Sequence, residues 1–250
     1  MKKTILALFA FTLCITTSQA QAYPEMVTVP GGTFTMGDEH GDGYSVEKPT
    51  HRVSLSTYKL SKTEVTVAQY RKFCESVGFT MPKEPSWSWQ DNHPIVNVSY
   101  QDALFFCEWL SEETGKRYNL PTEAQWEFAA KGGNQSRGYK FSGGNSILFV
   151  GWFKNSSGGK THEVATKKPN ELGLYDMSGN VWEWCLDWYD GDYYASSPSN
   201  NPKGPNSGAD RVARGGSFKS SANGCRVADR SNLYPSGREN GLGFRVALSQ

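Results

Sequence analysis

The feature that most restricts the fold of this 250-residue chain is the loss of helical periodicity after Lys131. From there to residue 243, glycine, asparagine, serine, proline and tryptophan recur so often that few runs exceed about six residues without a turn former. Such composition predicts short strands joined by long ordered loops, and long loops in a compact domain commonly carry function or bind ions. We therefore expect a loop-rich second half.

Three helices are predicted before that point, each by a polar residue that can cap an amphipathic stretch. Residues 67–77 place apolar side chains at the spacing of one helical face, and Gly115 is expected to end the second helix. The expected N-caps are Thr66, Ser99 and Thr122, and Gln125 occupies the capping-box position of the third helix.

Strand patterns precede the helices. The segment MVTVPGGTFTMGD alternates apolar and polar residues on both sides of a Pro-Gly-Gly turn, which predicts a β-hairpin. Strand-like alternation then continues from residue 51 to Thr66. Because no internal repeat and no linker marks a boundary, we expect one domain over residues 21–250.

The first twenty residues have the composition of a secretory signal. Two lysines precede an apolar run, and a polar stretch with small residues leads to Ala20, after which cleavage is expected. Lipidation at Cys14 is the alternative, but the bulky Leu13 before it favours cleavage. No later segment reaches the roughly 18 apolar residues of a transmembrane helix. We expect a protein that is secreted, periplasmic or at the cell surface.

Charge and cysteine content exclude several classes of function. Lysine and arginine number 26 against 25 acidic residues, a near balance that argues against general binding of nucleic acid or anionic membranes. The cysteines after the leader show no CxxC and no metal-finger spacing, so zinc is not expected. They are Cys74, Cys107, Cys185 and Cys225. Export permits disulfides among them, and the sequence assigns no pairing.

Seven stretches in order along the chain resemble the sulfatase-modifying factor family, whose founding activity is the formylglycine-generating enzyme. They are VPGGTFTMGD, KTEVTVAQYRKFC, HPIVNVSYQDALFFCEWL, LPTEAQWEFAAKGG, PNELGLYDMSGNVWEWCLDWY, NPKGPNSGADRVARGGSF and ENGLGFRVA. The resemblance implies an α+β fold of the C-type-lectin-like kind, with a small mixed β-core, flanking helices and long ordered loops.

Family members that generate formylglycine oxidise a substrate cysteine with oxygen, and they use two cysteines five residues apart that hold copper. Counted back from GLGFR without gaps, those positions fall on Ala222 and Val227, neither of which can bind a metal. Cys225 lies between them and, in an extended segment, would face the same side as Val227. We expect no copper centre and no oxidase activity. Cys225 is then either a buried residue or the disulfide partner of Cys185.

Two further consequences of the resemblance concern Cys107 and calcium. A family disulfide position after GFR is Val246 here, so Cys107 is expected to be a free, buried thiol. The turn in GLYDMSGNVWEW matches a family turn that binds calcium, a cation that prefers carboxylate and backbone oxygens. The expected calcium ligands are Asp176, Gly179, Val181 and Glu183. The alternative is a turn in which Asp176 bonds only local amides.

The C-terminal segment resembles the variable proteins of diversity-generating retroelements, in which a lectin-like scaffold displays a hypervariable patch. Small, polar and aromatic residues, the types that adaptable binding surfaces favour, interrupt a frame of ANGCRVADR and GLGFR. The expected binding residues in this segment are Phe218, Lys219, Ser220, Ser221, Asn223, Gly224, Asp229, Ser231, Asn232, Leu233, Tyr234, Ser236, Gly237, Glu239, Asn240 and Gly241. Trp182 and Trp184 join them because the matching strand of the family borders the substrate groove; the alternation of these tryptophans alone favours core packing, which is the alternative.

The sequence thus predicts an exported, non-oxidase member of the family that binds a protein or surface ligand through its C-terminal loops. We expect a monomer. The alternative is an oxidase or maturation enzyme of altered chemistry, in which Cys225 is the reactive thiol.

Overall fold

The structure is a computed structural model that describes residues 22–249. The predicted leader, with its cleavage site after Ala20 and the alternative lipidation site at Cys14, lies outside the described residues. Among the described residues no helix has both the length and the apolar character needed to cross a membrane.

Short strands and a few helices alternate along the described chain, as expected for an α+β fold. The helices are α1 (Val67–Val77), α2 (Tyr100–Thr114), α3 (Glu123–Ala130) and the single turn α4 (Ile147–Val150). The strands are β1 (Met26–Val29), β2 (Gly32–Met36), β3 (His51–Leu55), β4 (Tyr58–Ser61), β5 (Tyr118–Asn119), β6 (Trp182–Trp188), β7 (Arg211–Arg214), β8 (Arg230–Leu233), β9 (Leu242–Gly243) and β10 (Ala247–Ser249).

The strands form three small sheets. One has the order β1-β4-β10-β5, the second pairs β2 with β3, and the third has the order β8-β7-β6-β9. The hairpin predicted around the Pro-Gly-Gly turn is therefore wrong. β1 pairs with β4, with Met26 opposite Ser61, whereas β2 pairs with β3, with Gly32 opposite Leu55. The alternation identified the two strands correctly, but it does not specify their partners.

The predicted helix starts are confirmed. Thr66, Ser99 and Thr122 each accept a hydrogen bond from the backbone N–H three residues later, and each closes a capping box. α2 ends at Gly115, which adopts the left-handed conformation that glycine tolerates at a helix end. These local signals fix where α1, α2 and α3 begin.

The largest aromatic cluster lies between α1 and α2. Tyr70, Phe73 and Phe106 are at most 2% exposed, and the rings of Tyr70 and Phe106 stack at 5.9 Å between centroids. β9 contributes Leu242 to the same cluster, and Trp184 of β6 reaches it from the third sheet. The two helices therefore pack against the sheet that carries the C-terminal segment.

Candidate functional site

Arginine–carboxylate pairs hold the C-terminal segment, residues 214–245, in place. Each of the five arginines between residues 214 and 245 contacts a carboxylate that comes earlier in the chain. The pairs are Arg214 with Glu127, Arg226 with Glu47, Arg230 with Glu123, Arg238 with Asp102 and Arg245 with Glu183. All of these arginines except Arg238 are buried.

Four of the pairs have the fork-like geometry that makes arginine–carboxylate contacts strong and directional, whereas Arg214 contacts Glu127 through Nη2 alone. Arg226 places Nη1 and Nη2 each 2.6 Å from an oxygen of Glu47. Arg245 binds Glu183 at 2.6 and 2.7 Å and also donates to the carbonyls of Ser61 and Tyr175. A loop segment anchored in this way does not need regular secondary structure to keep its shape.

Backbone contacts hold the loop between β8 and β9. The carbonyl of Pro235 accepts from the N–H of Tyr100 at 3.0 Å, and the carbonyl of Glu239 accepts from the N–H of Asn97 at 3.0 Å. Arg238 then pairs with Asp102 in the first turn of α2. The path of this loop is therefore set by two peptide carbonyls and by the side chain of Arg238.

Between these anchors, most of the predicted binding residues reach solvent. Tyr234 is 70% exposed, the largest exposed fraction among the large apolar side chains described. The other exposed members are Lys219, Ser221, Asn232, Ser236 and Glu239, and the half-buried members are Trp182, Ser220, Asn223, Gly224, Ser231, Leu233, Gly237 and Asn240. A hydrogen bond from Lys219 to Asn240 joins the start and the end of the segment.

Four predicted binding residues are buried instead, and this corrects the expectation. Trp184 is fully buried and donates its indole N–H to the carbonyl of Val98 at 3.1 Å. Phe218 is 1% exposed, and Gly241 is also buried. Asp229 lies 3.4 Å from Arg226, and burial raises the pKa of its carboxyl to about 6. These residues support the surface from below.

Two aromatic residues that the sequence reading missed lie beside this segment. Trp87 is half-buried and meets Phe218 edge to face at 5.3 Å between centroids. Tyr44 is 54% exposed, and its hydroxyl lies 3.5 Å from the amide of Asn223. The only sequence signal for Trp87 was the PSWSW run, whose place beside Phe218 depends on long-range contacts.

Cys225 is sealed inside the protein. It is 0% exposed and packs with Phe141, Ile147 and Phe153. A β-carbon placed on Gly216 would lie 2.6 Å from the Cys225 sulfur, so the Gly216 backbone closes the remaining side. Burial raises the pKa of the thiol well above its ordinary value, with a further contribution from the charge of Asp229.

The residues around Cys225 cannot supply a second thiol. Cys225 ends a 3-10 turn that begins at Asn223, so the chain is not extended there, and Val227 belongs to a different apolar cluster from Cys225. The residues five positions before and after Cys225 are Ser220 and Arg230. The side chains present do not fit a two-thiolate copper centre.

The remaining cysteines are dispersed. Cys74, Cys107 and Cys185 are free and buried, and so is Cys225, so the alternative of a Cys185–Cys225 disulfide is not what the structure shows. The prediction of a free, buried Cys107 agrees with the structure, and burial raises the pKa of its thiol. Within residues 22–249, no three histidine, cysteine or acidic side chains are grouped as they would be around a metal ion.

The predicted calcium turn has one unsatisfied ligand atom. Asp176 adopts φ 58° and accepts from the N–H of Ala165 at 2.7 Å through Oδ2, while its buried Oδ1 has no hydrogen-bond partner. Both carboxylate oxygens of nearby Glu64 are likewise buried without a partner. Burial raises the pKa of both carboxyls, that of Asp176 to about 6. Asp176 therefore fits a cation-binding role.

Glu183 is already occupied. One carboxylate oxygen accepts from both Arg245 and the Trp126 indole N–H, at 2.6 Å each, and the other accepts from Arg245. To bind a cation, the Glu183 oxygens would have to contact it in addition to these donors. Gly179 and Val181 flank the turn, and the N–H of Gly179 donates to the carbonyl of Gly215 at 2.8 Å.

Comparisons with known proteins agree with this architecture. Residues 12–250 match the family described as "Sulfatase-modifying factor enzyme 1-like domain". The formylglycine-generating enzyme of Streptomyces coelicolor is 35% identical in an alignment of 282 positions, gaps included, that covers 88% of this chain and 88% of that enzyme.

Two solved structures have the same fold over nearly the whole chain. Treponema denticola variable protein 1 superposes with a TM-score of 0.78 at 34% identity, covering 89% of this chain and 94% of that one. PvdO from Pseudomonas aeruginosa superposes with a TM-score of 0.81 at 29% identity, covering 91% and 95%. The extent of the sequence match, together with the shared α+β fold, shows that this chain belongs to the sulfatase-modifying factor family.

Proposed function

We propose that this protein is an exported, non-oxidase member of the family that binds a protein or surface ligand through its C-terminal segment. The observation that carries the proposal is the closed environment of Cys225. A thiol that attacks or binds a metal must be accessible and readily deprotonated, and this one is buried with a raised pKa.

The chemistry of the exposed residues supports a binding role. Serine, asparagine, glycine and tyrosine combine adaptable hydrogen bonding with a low entropic cost of ordering, and Tyr234 offers a large amphipathic contact. The arginine pairs beneath them fix the backbone before a ligand arrives. Preorganisation of this kind strengthens binding because little further ordering is required.

The likeness to Treponema denticola variable protein 1 supports a diversified version of this surface. In that version, exposed and half-buried residues between positions 218 and 242 vary between copies of the gene, while the five arginines that pair with carboxylates stay constant. Sequencing the neighbouring DNA tests it. We expect a near-copy of the codons for residues 214–245 beside a reverse transcriptase gene, and absence of both would remove the diversified version.

Thiol labelling of the folded protein separates the binding role from the oxidase alternative. We expect Cys225 to label only after unfolding, and the Cys225→Ser variant to show the same slow labelling of the native protein. Fast labelling that disappears in Cys225→Ser, together with oxygen consumption in the presence of a cysteine peptide and copper, would establish the oxidase alternative instead.

We also propose that calcium binds at the turn around Asp176 and stabilises the native protein. The unpartnered Asp176 Oδ1 supports this, and carbonyl oxygens of Gly179 and Val181 are the expected companions. A ligand that binds only the native state raises the transition temperature. We expect calcium to raise it and Asp176→Asn to reduce that increase; a transition unmoved by calcium and by chelator contradicts the site.

A further inference from the structure

The single helical turn α4 presents two large apolar side chains to solvent. Ile147 and Val150 point inward and pack with the cluster around Cys225. Leu148 and Phe149, between them, are 56% and 61% exposed. Adjacent apolar residues exposed on a protruding turn are more typical of an interaction site than of an ordinary surface.

The exposed carbonyls of this turn have hydrogen-bond partners, although the Ser146 side chain does not cap its N-terminus. The Leu148 carbonyl accepts from Lys167 Nζ at 2.7 Å, and the Phe149 carbonyl accepts from the backbone N–H of Lys168 at 3.0 Å. The N–H of Phe149 donates to the Ser146 carbonyl at 3.2 Å. Backbone groups that enter lipid need such internal partners, because the hydrocarbon offers none.

Two lysines contact the turn or the tryptophan next to it, and two more lie on the chain that follows it. Lys168 Nζ lies 5.3 Å from the centre of the Phe149 ring, and Lys167 Nζ lies 3.9 Å from that of Trp152. Lys154 and Lys160 are exposed on the same stretch of chain. In the described part of the chain, none of these four lysines forms an ion pair with a carboxylate.

Acidic residues are few in the sequence around α4. No aspartate or glutamate occurs from residue 128 to residue 162, and Glu163 and Glu171 are the acids on either side of Lys167 and Lys168. The four lysines outnumber these two acids, so the stretch carries local positive charge, in contrast to the near neutrality of the whole chain that argued against general binding of anionic membranes. Lysines of this kind can keep their ammonium groups in water while their alkyl stems lie along apolar surface.

We propose that Leu148 and Phe149 insert into the interface of a phospholipid bilayer that carries anionic headgroups, with the four neighbouring lysines contacting those headgroups. Exposed apolar side chains beside a stretch of chain with net positive charge fit an anionic membrane surface, where apolar groups enter the interface and lysines contact headgroups. The proposal goes beyond ligand binding by the C-terminal segment and does not rest on it.

Membrane attachment would also orient the molecule. α4 packs on Cys225, and the N–H of Lys154 donates to the carbonyl of Ser220 at 3.0 Å. A bilayer that holds α4 therefore lies next to the first part of the C-terminal segment. The ligand surface would then operate close to a membrane.

Sedimentation with phospholipid vesicles tests the proposal. We expect the protein to sediment with vesicles of phosphatidylcholine and phosphatidylglycerol, to bind pure phosphatidylcholine vesicles more weakly, and to dissociate as salt rises. Leu148→Ser/Phe149→Ser should weaken the partition by about tenfold or more. Replacing Lys167 and Lys168 by glutamine should weaken it about fivefold for each lysine.

The matched control is Val77→Ser/Phe105→Ser, which removes two other exposed apolar side chains, 52% and 40% exposed, from the face of α1 and α2. All variants carry the same N-terminus, so the differences between them report α4 alone. Their thermal transitions show that each is folded. The proposal is overturned if all variants sediment equally with the vesicles. It is also overturned if the unaltered protein does not sediment with them, and the partner of this patch would then be a protein.

Discussion

The region around α1 and α2 and the C-terminal segment keep their shapes by opposite means. In the first, regular helices bury stacked aromatic rings such as those of Tyr70 and Phe106. In the second, little regular structure exists, and buried arginines bind carboxylates from distant parts of the chain. The comparison shows that a loop surface can be as fixed as a helix when its anchors are directional and lie below it.

The largest effect should come from breaking one arginine anchor. Arg226→Met leaves the carboxylate of Glu47, itself fully buried, without its partner. We expect a loss of about 3–5 kcal/mol in the free energy of unfolding, measured with denaturant. The double variant Arg226→Met/Glu47→Met should recover a large part of that loss, because no buried charge remains. If the double variant lost as much unfolding free energy as the two single variants together, charge pairing would not be the source of the stability that Arg226 contributes.

In the helical region, removal of apolar volume should behave differently. Leu110→Ala, at a side chain that is 0% exposed, should cost about 2–5 kcal/mol, because it leaves a cavity. A second truncation in the same cluster, Val98→Ala, should add to the loss rather than offset it. Recovery of stability in this double variant would contradict the distinction between the two regions.

Stability should also depend on pH through the region rich in buried charge. Burial, with the nearby charge of Glu123, raises the pKa of Asp187 from its ordinary value of 3.8 to about 8. Its stabilising contribution is complete below about 3.8 and is lost as pH rises through 8. We expect Asp187→Asn to flatten the decline in unfolding free energy between pH 5 and pH 9 by at least about 1 kcal/mol. An identical decline in both proteins would assign the effect to other groups.

The smallest effect is expected at the exposed surface. Tyr234→Ala should change the free energy of unfolding by less than about 0.5 kcal/mol, because the side chain has few contacts to lose. The same holds for Ser236→Ala. A loss comparable to that of Arg226→Met would mean that the Tyr234 side chain helps to hold the loop in place.

Features set by neighbouring residues were predictable from the sequence. The capping boxes of Thr66, Ser99 and Thr122 gave the helix starts, since an N-cap and its partner lie three residues apart. The seven family motifs, which occur in order along the chain, predicted the family and therefore its α+β fold.

Features set across long separations were not predictable in this way. Arg226 and Glu47 are 179 positions apart, and the sequence around neither residue predicts that they pair. The resemblance to the family suggested that Trp184 borders the binding surface, whereas the cluster between α1 and α2 buries it. The 3-10 turn that ends at Cys225 was likewise not predictable from the spacing of its neighbours.

The loop between β8 and β9 is held by its own peptide carbonyls, at Pro235 and Glu239, and by Arg238. Those carbonyls are present whichever side chains stand at positions 234 and 236. The loop can therefore accept different residues at these outward positions without a change of path. In the proposed binding role, the residues that would contact a ligand are thus separate from the groups that fix the loop, which is the property that a repertoire of related receptors requires.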